Sequence, residues 1–311
     1  MLMLPVLVAA LVPVRVTTAP HVDGHLDDAV WSTIPVNDAF TQSFPNDGAA
    51  PGEPTRVQVA YDDQTLYIAL DCVQRAPRLA RLTRRDRDVN DDRISVELDT
   101  AHDRRSAFHF QVSAAGVLVD GLRYQDTELN TDWDEIWQGE VAATQTGWSA
   151  ELAIPLRILR VHASAPTWGF QVRRWVGATG EVDMWAYAPR DAGGEVSRYG
   201  DLGPFEGLAP QQSIALVPFG LARVVKTDHA VPSQYGDGVS AAAGLDMTWR
   251  PLSSMVVSAA ILPDFGQVEA DQIVINLTTT EVQYPEKRPF FLQGIDLFQT
   301  PIQLLYTRRI G

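Results

Sequence analysis

The chain has 311 residues, 45% of them hydrophobic and 21% charged, which is ordinary globular material and enough for two domains. Its formal net charge of −14 gives no general attraction for phosphate backbones, so nucleic acid is not an expected partner. The single cysteine, Cys72, excludes an internal disulfide and a cysteine-based zinc site.

Residues 1–14, "MLMLPVLVAALVPV", form an apolar run broken only by Pro5 and Pro13. A helical membrane span needs about 20 residues, so this run is too short to cross a bilayer. It is similar to the apolar part of a secretory signal, without a basic start, and would be cleaved after Ala10 or Ala19. Residues 1–19 are therefore expected to be a leader and the protein to be exported.

The next part reads as short strands with period-two alternation. "RVQVAY" puts Val57, Val59 and Tyr61 on one face, and "TLYIALDC" does the same for Leu66, Ile68, Leu70 and Cys72. "RISVELD", "AFHFQVS" and "WSAELAIP" alternate in the same way, and turn signals such as "YDDQT" and "TQTG" separate the runs. "DDAVWSTI" and "IPLRIL" each suit one helical turn. The pattern predicts an all-β antiparallel β-sandwich over residues 20–205.

The Gly- and Pro-rich stretch at 196–212 breaks the alternation and marks a boundary. Beyond it, "SIALVPFGLARVV" is apolar on both faces, and "AGLDMTWR" turns through "PLSS" into "MVVSAAIL". Long alternating strands with a tight turn suit amphipathic hairpins of an outer-membrane barrel, or else a second soluble sandwich. Strands are expected at 212–225, 240–250, 254–263 and 301–309. A closed barrel needs about 8, so 206–311 reads as an incomplete barrel-type domain and the chain as a fragment.

Three motifs carry a resemblance. "HVDGHLDDAVW" (21–31), "DDRISVELDT" (91–100) and "GWSAELAIP" (147–155) resemble, in order and spacing, a family 9 carbohydrate-binding module. "LPDFGQVEAD" and "YPEKRPFFLQG" followed by "RRIG" resemble a family of uncharacterised bacterial outer-membrane proteins, in which such a module precedes a large β-barrel. The resemblance implies glycan recognition by paired tryptophans and, in some members, bound calcium.

A sugar site needs a flat aromatic face and polar groups for the hydroxyls. "TDWDEIWQG" supplies Trp133, Asp134, Glu135 and Trp137, and Trp175 and Trp185 are further candidates; core packing is the alternative reading of each tryptophan. Asp23, Asp27 and Asp28 beside Gly24 suit either a turn or calcium. Asp264 and Glu269, with Glu286, Lys287, Arg288 and Phe290, form the second family's motif and read as structural. The stretch "RLARLTRRDRDVNDDR" (78–93) reads as a self-neutralising solvated loop or as an anionic-glycan site. Asp134 and Glu135 are adjacent in sequence, so in a strand they point to opposite faces and make a poor glycosidase pair. No nucleophile elbow, "HExxH" or phosphate loop is present, and His102 and His109 lack a third metal ligand.

The expected function is non-catalytic binding of an oligo- or polysaccharide at the cell envelope, in the periplasm or at the outer membrane, linked to carbohydrate catabolism. The alternatives are a docking or plug domain of a transport or assembly component, and an accessory part of a xylanase-type glycoside hydrolase system.

Overall fold

The computed structural model describes residues 10–87, 89–131, 133–159, 161, 166–208, 213–225, 238–252 and 255–262. The chain divides into two compact units between residues 211 and 212. Among the described residues the first unit is all β, with short 3₁₀ turns at Trp31–Thr33 and Val196–Arg198 and no α-helix.

Its strands are β1 (Ala10–Leu11), β2 (Val14–Arg15), β3 (Thr41–Phe44), β4 (Thr55–Tyr61), β5 (Thr65–Val73), β6 (Arg93–Asp99) and β7 (Ala107–Ser113). They continue with β8 (Leu118–Tyr124), β9 (Glu128–Asn130), β10 (Gln138–Ala143), β11 (Gly147–Pro155), β12 (Trp168–Val176), β13 (Glu181–Met184) and β14 (Gly200–Leu202). A five-stranded sheet runs β10-β11-β5-β4-β2, and a nine-stranded sheet runs β1-β14-β12-β6-β7-β8-β9, with β13 and β3 extending it beside β12.

The alternating residues fill the space between the sheets. Val57, Val59, Ile68, Leu70, Trp148 and Ile154 of the smaller sheet meet Ile94, Val96, Leu98, Phe110, Phe170 and Val172 of the larger one, all fully buried. Burying each such side chain contributes roughly 1.5–3 kcal/mol.

Two of the family-like motifs bind each other. The carboxylate of Glu151 on β11, itself buried, accepts the backbone N–H of Asp23 (2.9 Å) and of Gly24 (3.0 Å) and the indole N–H of Trp31 (2.6 Å). Gly24 has φ +87°, and a Cβ there would lie 2.5 Å from the carbonyl carbon of Val141, so only glycine fits.

The outward face of the larger sheet departs from the simple alternation. Ser95, Glu97, Asp99, His109, Gln111, Ser113 and Gln171 point away from the core yet are buried. Glu97 is met from two sides: the Tyr199 hydroxyl from the segment after β13 and the Arg123 guanidinium from β8 both donate to it, and His109 lies 3.1 Å from it. Burial works against ionised Glu97, but His109 and Arg123 outweigh it and hold its carboxyl well below the usual range.

Ala10–Leu11 pairs in parallel with β14, and Val14–Arg15 pairs in parallel with β4. Leu11 is buried in the core, so in this structure the sandwich includes residues ahead of the expected start at 20. Within the second unit, β15 (Ser213–Val225), β16 (Gly238–Leu252) and β17 (Met255–Ile261) form an antiparallel three-stranded sheet. It exposes Ile214, Leu216, Val217, Trp249, Met255 and Ile261, and no sheet closes among the described residues. Asp264, Glu269, Glu286, Lys287, Arg288, Phe290 and the expected strand at 301–309 lie outside the described residues.

Candidate functional site

The segment before β10 brings several predicted residues together, but not as a sugar clamp. Trp137 is buried and meets the edge of Phe110 at 5.2 Å. Trp133 is half-buried and packs on Phe108 (5.4 Å) and Phe110 (6.0 Å), so its ring rests on core aromatics. Glu135 donates its backbone N–H to Asp120 (2.8 Å) and accepts from Arg85 through its carbonyl (2.9 Å).

Arg85 is the hub of this corner. It pairs with buried Asp120 at 2.6 Å and approaches Asp134 (3.4 Å) and Asp86 (3.7 Å). Carboxylate oxygens of Asp86, Asp120 and Asp134 lie within 4.8 Å of one another. The guanidinium already supplies their positive charge, so a divalent cation there would face Arg85. Burial still pushes Asp120 and Asp86 upward.

Calcium does not suit the acidic turn near the start of the sandwich either. It needs 6–8 oxygen ligands. Asp23 accepts the N–H of His25 (2.9 Å) and faces the His21 ring (3.1 Å), while Asp28 accepts the His21 N–H (2.7 Å). With Asp27 exposed, these carboxylates shape the turn and do not converge on one point.

Trp185 is a core residue: it is buried, donates its indole N–H to Asn37 (2.8 Å) and meets Phe170 at 5.1 Å. Trp175 is different. It stands half-buried on the outward face of β12, with the Arg93 guanidinium 4.6 Å from its ring centre and that of Arg173 at 5.7 Å. Arg173 is held by Glu195 at 2.5 Å. Strand register places Trp175 beside Arg93, and Arg93 beside Ser113. Ser113 then lines a recess of about 10 Å³, room for about one water molecule, with Gln111, Asp91, Thr83 and Arg87. A recess of that size takes no sugar, so what this face offers a ligand is the ring and guanidinium surface beside it.

Sequence reasoning named Trp175 but missed its companions. The signal was present in "QVRRWV", where Arg173 and Trp175 are two apart and share a strand face. Arg93 could not be found this way, because cross-strand register is not written in local sequence.

A family profile described as "Carbohydrate family 9 binding domain-like" matches residues 22–201. The chain belongs to that family. A second profile, Domain of unknown function (DUF5916), matches residues 213–311. The family 9-like module here is similar to a family 9 carbohydrate-binding module from Caldicellulosiruptor kristjanssonii in complex with glucose (16% identity, 65% of this chain and 98% of that one, TM-score 0.48). A second structure of that type, in complex with cellotriose, gives 16% identity, 64% and 95% coverage and TM-score 0.47. A candidate carbohydrate-binding protein from Bacteroides uniformis ATCC 8492 has 11% identity and a TM-score of 0.51, covering 63% of this chain and 98% of its own. It shares the fold of the module. None of the curated proteins matches significantly.

Proposed function

We propose that the sandwich is a non-catalytic glycan-binding module of the bacterial cell envelope, with Trp175 as its aromatic platform. The observation that carries this is the half-exposed Trp175 framed by Arg93 and Arg173 on the outward face of a family 9-like module. An indole edge and face take the apolar side of a pyranose ring, and the Arg93 and Arg173 guanidiniums beside it suit sugar hydroxyls.

The test is calorimetric titration of the full chain, in mild detergent, with a panel of neutral plant and bacterial oligosaccharides. Trp175→Ala is expected to weaken binding about thirty-fold, the loss of about 2 kcal/mol typical of a central aromatic anchor, with unchanged thermal stability. Trp133→Ala is expected to do the reverse. It leaves affinity intact and costs about 2–3 kcal/mol, because it removes a ring packed on Phe108 and Phe110. Affinity lost with Trp133 and kept with Trp175 would move the site to the Arg85 corner.

The envelope part of the proposal draws on the apolar start of the chain and on the second unit. β15 and β16, of 13 and 15 residues, exceed the ~9–11 that a membrane strand needs, and their sheet exposes apolar side chains. In this reading the chain is exported, the unit from 212 onward is the start of an outer-membrane barrel, and the module captures polysaccharide for catabolism, beside hydrolases of the xylanase type. The exposed apolar sheet also suits a transport or assembly component with the module as its docking domain. Sedimentation with outer membranes and no heat with any sugar would favour that second reading.

A further inference from the structure

Between β5 and β6 the sequence places arginine at every third position: Arg75, Arg78, Arg81, Arg84 and Arg87. Five like charges in a row on a chain of net charge −14 call for an explanation. Read as sequence, the interspersed aspartates neutralise them. The structure separates the two signs.

The described aspartates of this stretch serve the fold. Asp92 is fully buried and accepts the N–H of Leu79 (2.7 Å), the N–H of Gly177 (2.7 Å) and the side-chain amide of Gln74 (2.7 Å). Asp91 is buried as well, and Asp86 accepts the N–H of Asp120. Arg85, out of phase with the repeat, turns to Asp120. The five arginines of the repeat are all exposed, and none has a carboxylate within 4.0 Å among the described residues. The segment that carries them is irregular from Pro77 to Arg84 and is pinned at Leu79, by Asp92, and at Asp86, whose N–H donates to Leu118. The strip presents Arg78, Arg81 and Arg84 at three-residue steps along this irregular stretch, and a turn from the Arg84 carbonyl to the Arg87 N–H (3.3 Å) folds Arg87 back toward Arg84. Leu82 stands among them, 85% exposed.

We propose that this arginine strip binds a linear acidic polysaccharide, one carrying carboxylates along its length. This rests on the reading of the sandwich as a glycan-binding module and narrows the ligand class. A planar guanidinium takes a carboxylate through two parallel hydrogen bonds, and a fixed row of them suits a regular polyanion.

The experiment uses the full chain in mild detergent with three immobilised probes: polygalacturonate, neutral xylan, and vesicles of anionic phospholipid. Retention on polygalacturonate is expected, weakening steeply as salt rises because the contacts are exposed charges. The triple variant Arg78→Gln, Arg81→Gln, Arg84→Gln is expected to lose about tenfold or more in affinity for polygalacturonate. Its melting temperature and its affinity for neutral oligosaccharides stay as in the parent. Equal binding of polygalacturonate by parent and variant overturns the proposal, and so does preference for the vesicles, which would assign the strip to lipid. Neutral oligosaccharide binding without polygalacturonate binding sinks this inference alone. Absence of binding to every glycan sinks the function proposed above with it.

Discussion

Replacing Arg174 by alanine is expected to cost the sandwich about 3–5 kcal/mol, for the loss of a buried side chain and the charge-assisted hydrogen bonds it makes. Arg174 belongs to β12 in the larger sheet, is fully buried, and reaches to the ends of β4 and β5 in the smaller one. One terminal nitrogen donates to the carbonyls of Glu53 (3.1 Å) and Pro54 (3.0 Å) and to the Thr55 hydroxyl (3.1 Å). The other donates to the carbonyl of Val73 (2.9 Å) and to the amide oxygen of Gln74 (3.1 Å). Truncation leaves the buried Glu53 carbonyl without this donor, takes one donor each from the part-buried Pro54 and Val73 carbonyls, and removes the positive charge that faces Asp183. Lysine restores the charge but not the fork, so Arg174→Lys should recover less than half of the loss. Urea unfolding of both variants gives the numbers. A loss under about 1 kcal/mol for the alanine variant would mean that the two sheets do not depend on this tie.

Arg174 also shows what local sequence reveals and what it hides. The inward faces were readable, because Val57, Val59 and Tyr61, or Ile94, Val96 and Leu98, obey a period of two that burial enforces. So was the 3₁₀ turn within "DDAVWSTI". Arg174 occupies an inward position between Val172 and Val176, where alternation demands an apolar residue, and its partners lie about a hundred positions away. Glu97 and His109 fail in the opposite sense: their polarity predicts solvent, but both are buried, and a returning segment supplies Tyr199 to Glu97. The candidate site followed the same division. All four tryptophans could be named from composition and spacing, yet what lies over each ring is set by tertiary contact. Phe108 and Phe110 pack on Trp133, Phe170 packs on Trp185, and the Arg93 and Arg173 guanidiniums lie over Trp175, which stays partly exposed. The calcium reading of Asp23, Asp27 and Asp28 rested on proximity in sequence, and the turn consumes those carboxylates locally.

Raising the pH from 5 to 8 is expected to destabilise the sandwich, and Asp183→Asn is expected to remove much of that loss. Asp183 lies opposite Arg174 in the β12–β13 register, is fully buried, and neither of its oxygens has a hydrogen-bond donor among the described residues. Burial raises its pKa first, and Glu181 and Glu53 raise it further against the pull of Arg174, so that it stands at about 7 instead of 3.8. An acid raised on folding is stabilising while it keeps its proton. Its contribution is complete below 3.8 and is lost as the pH climbs through about 7. A shift of this size corresponds to at most about 4 kcal/mol. Asparagine is neutral throughout and can donate its amide N–H toward Glu181 at any pH. The variant should therefore be more stable than the parent at pH 8 and no more stable at pH 5. Burial also raises Asp99, Asp120 and Glu151, so the parent's slope contains them too. Glu97 is shifted the other way: it stabilises above its ordinary 4.5 and loses that only as pH falls, so it stays silent across this window. The difference between parent and variant then isolates Asp183. Parallel melting curves across pH 5–8 would show that Asp183 is already ionised in the folded protein, with Arg174 meeting its charge.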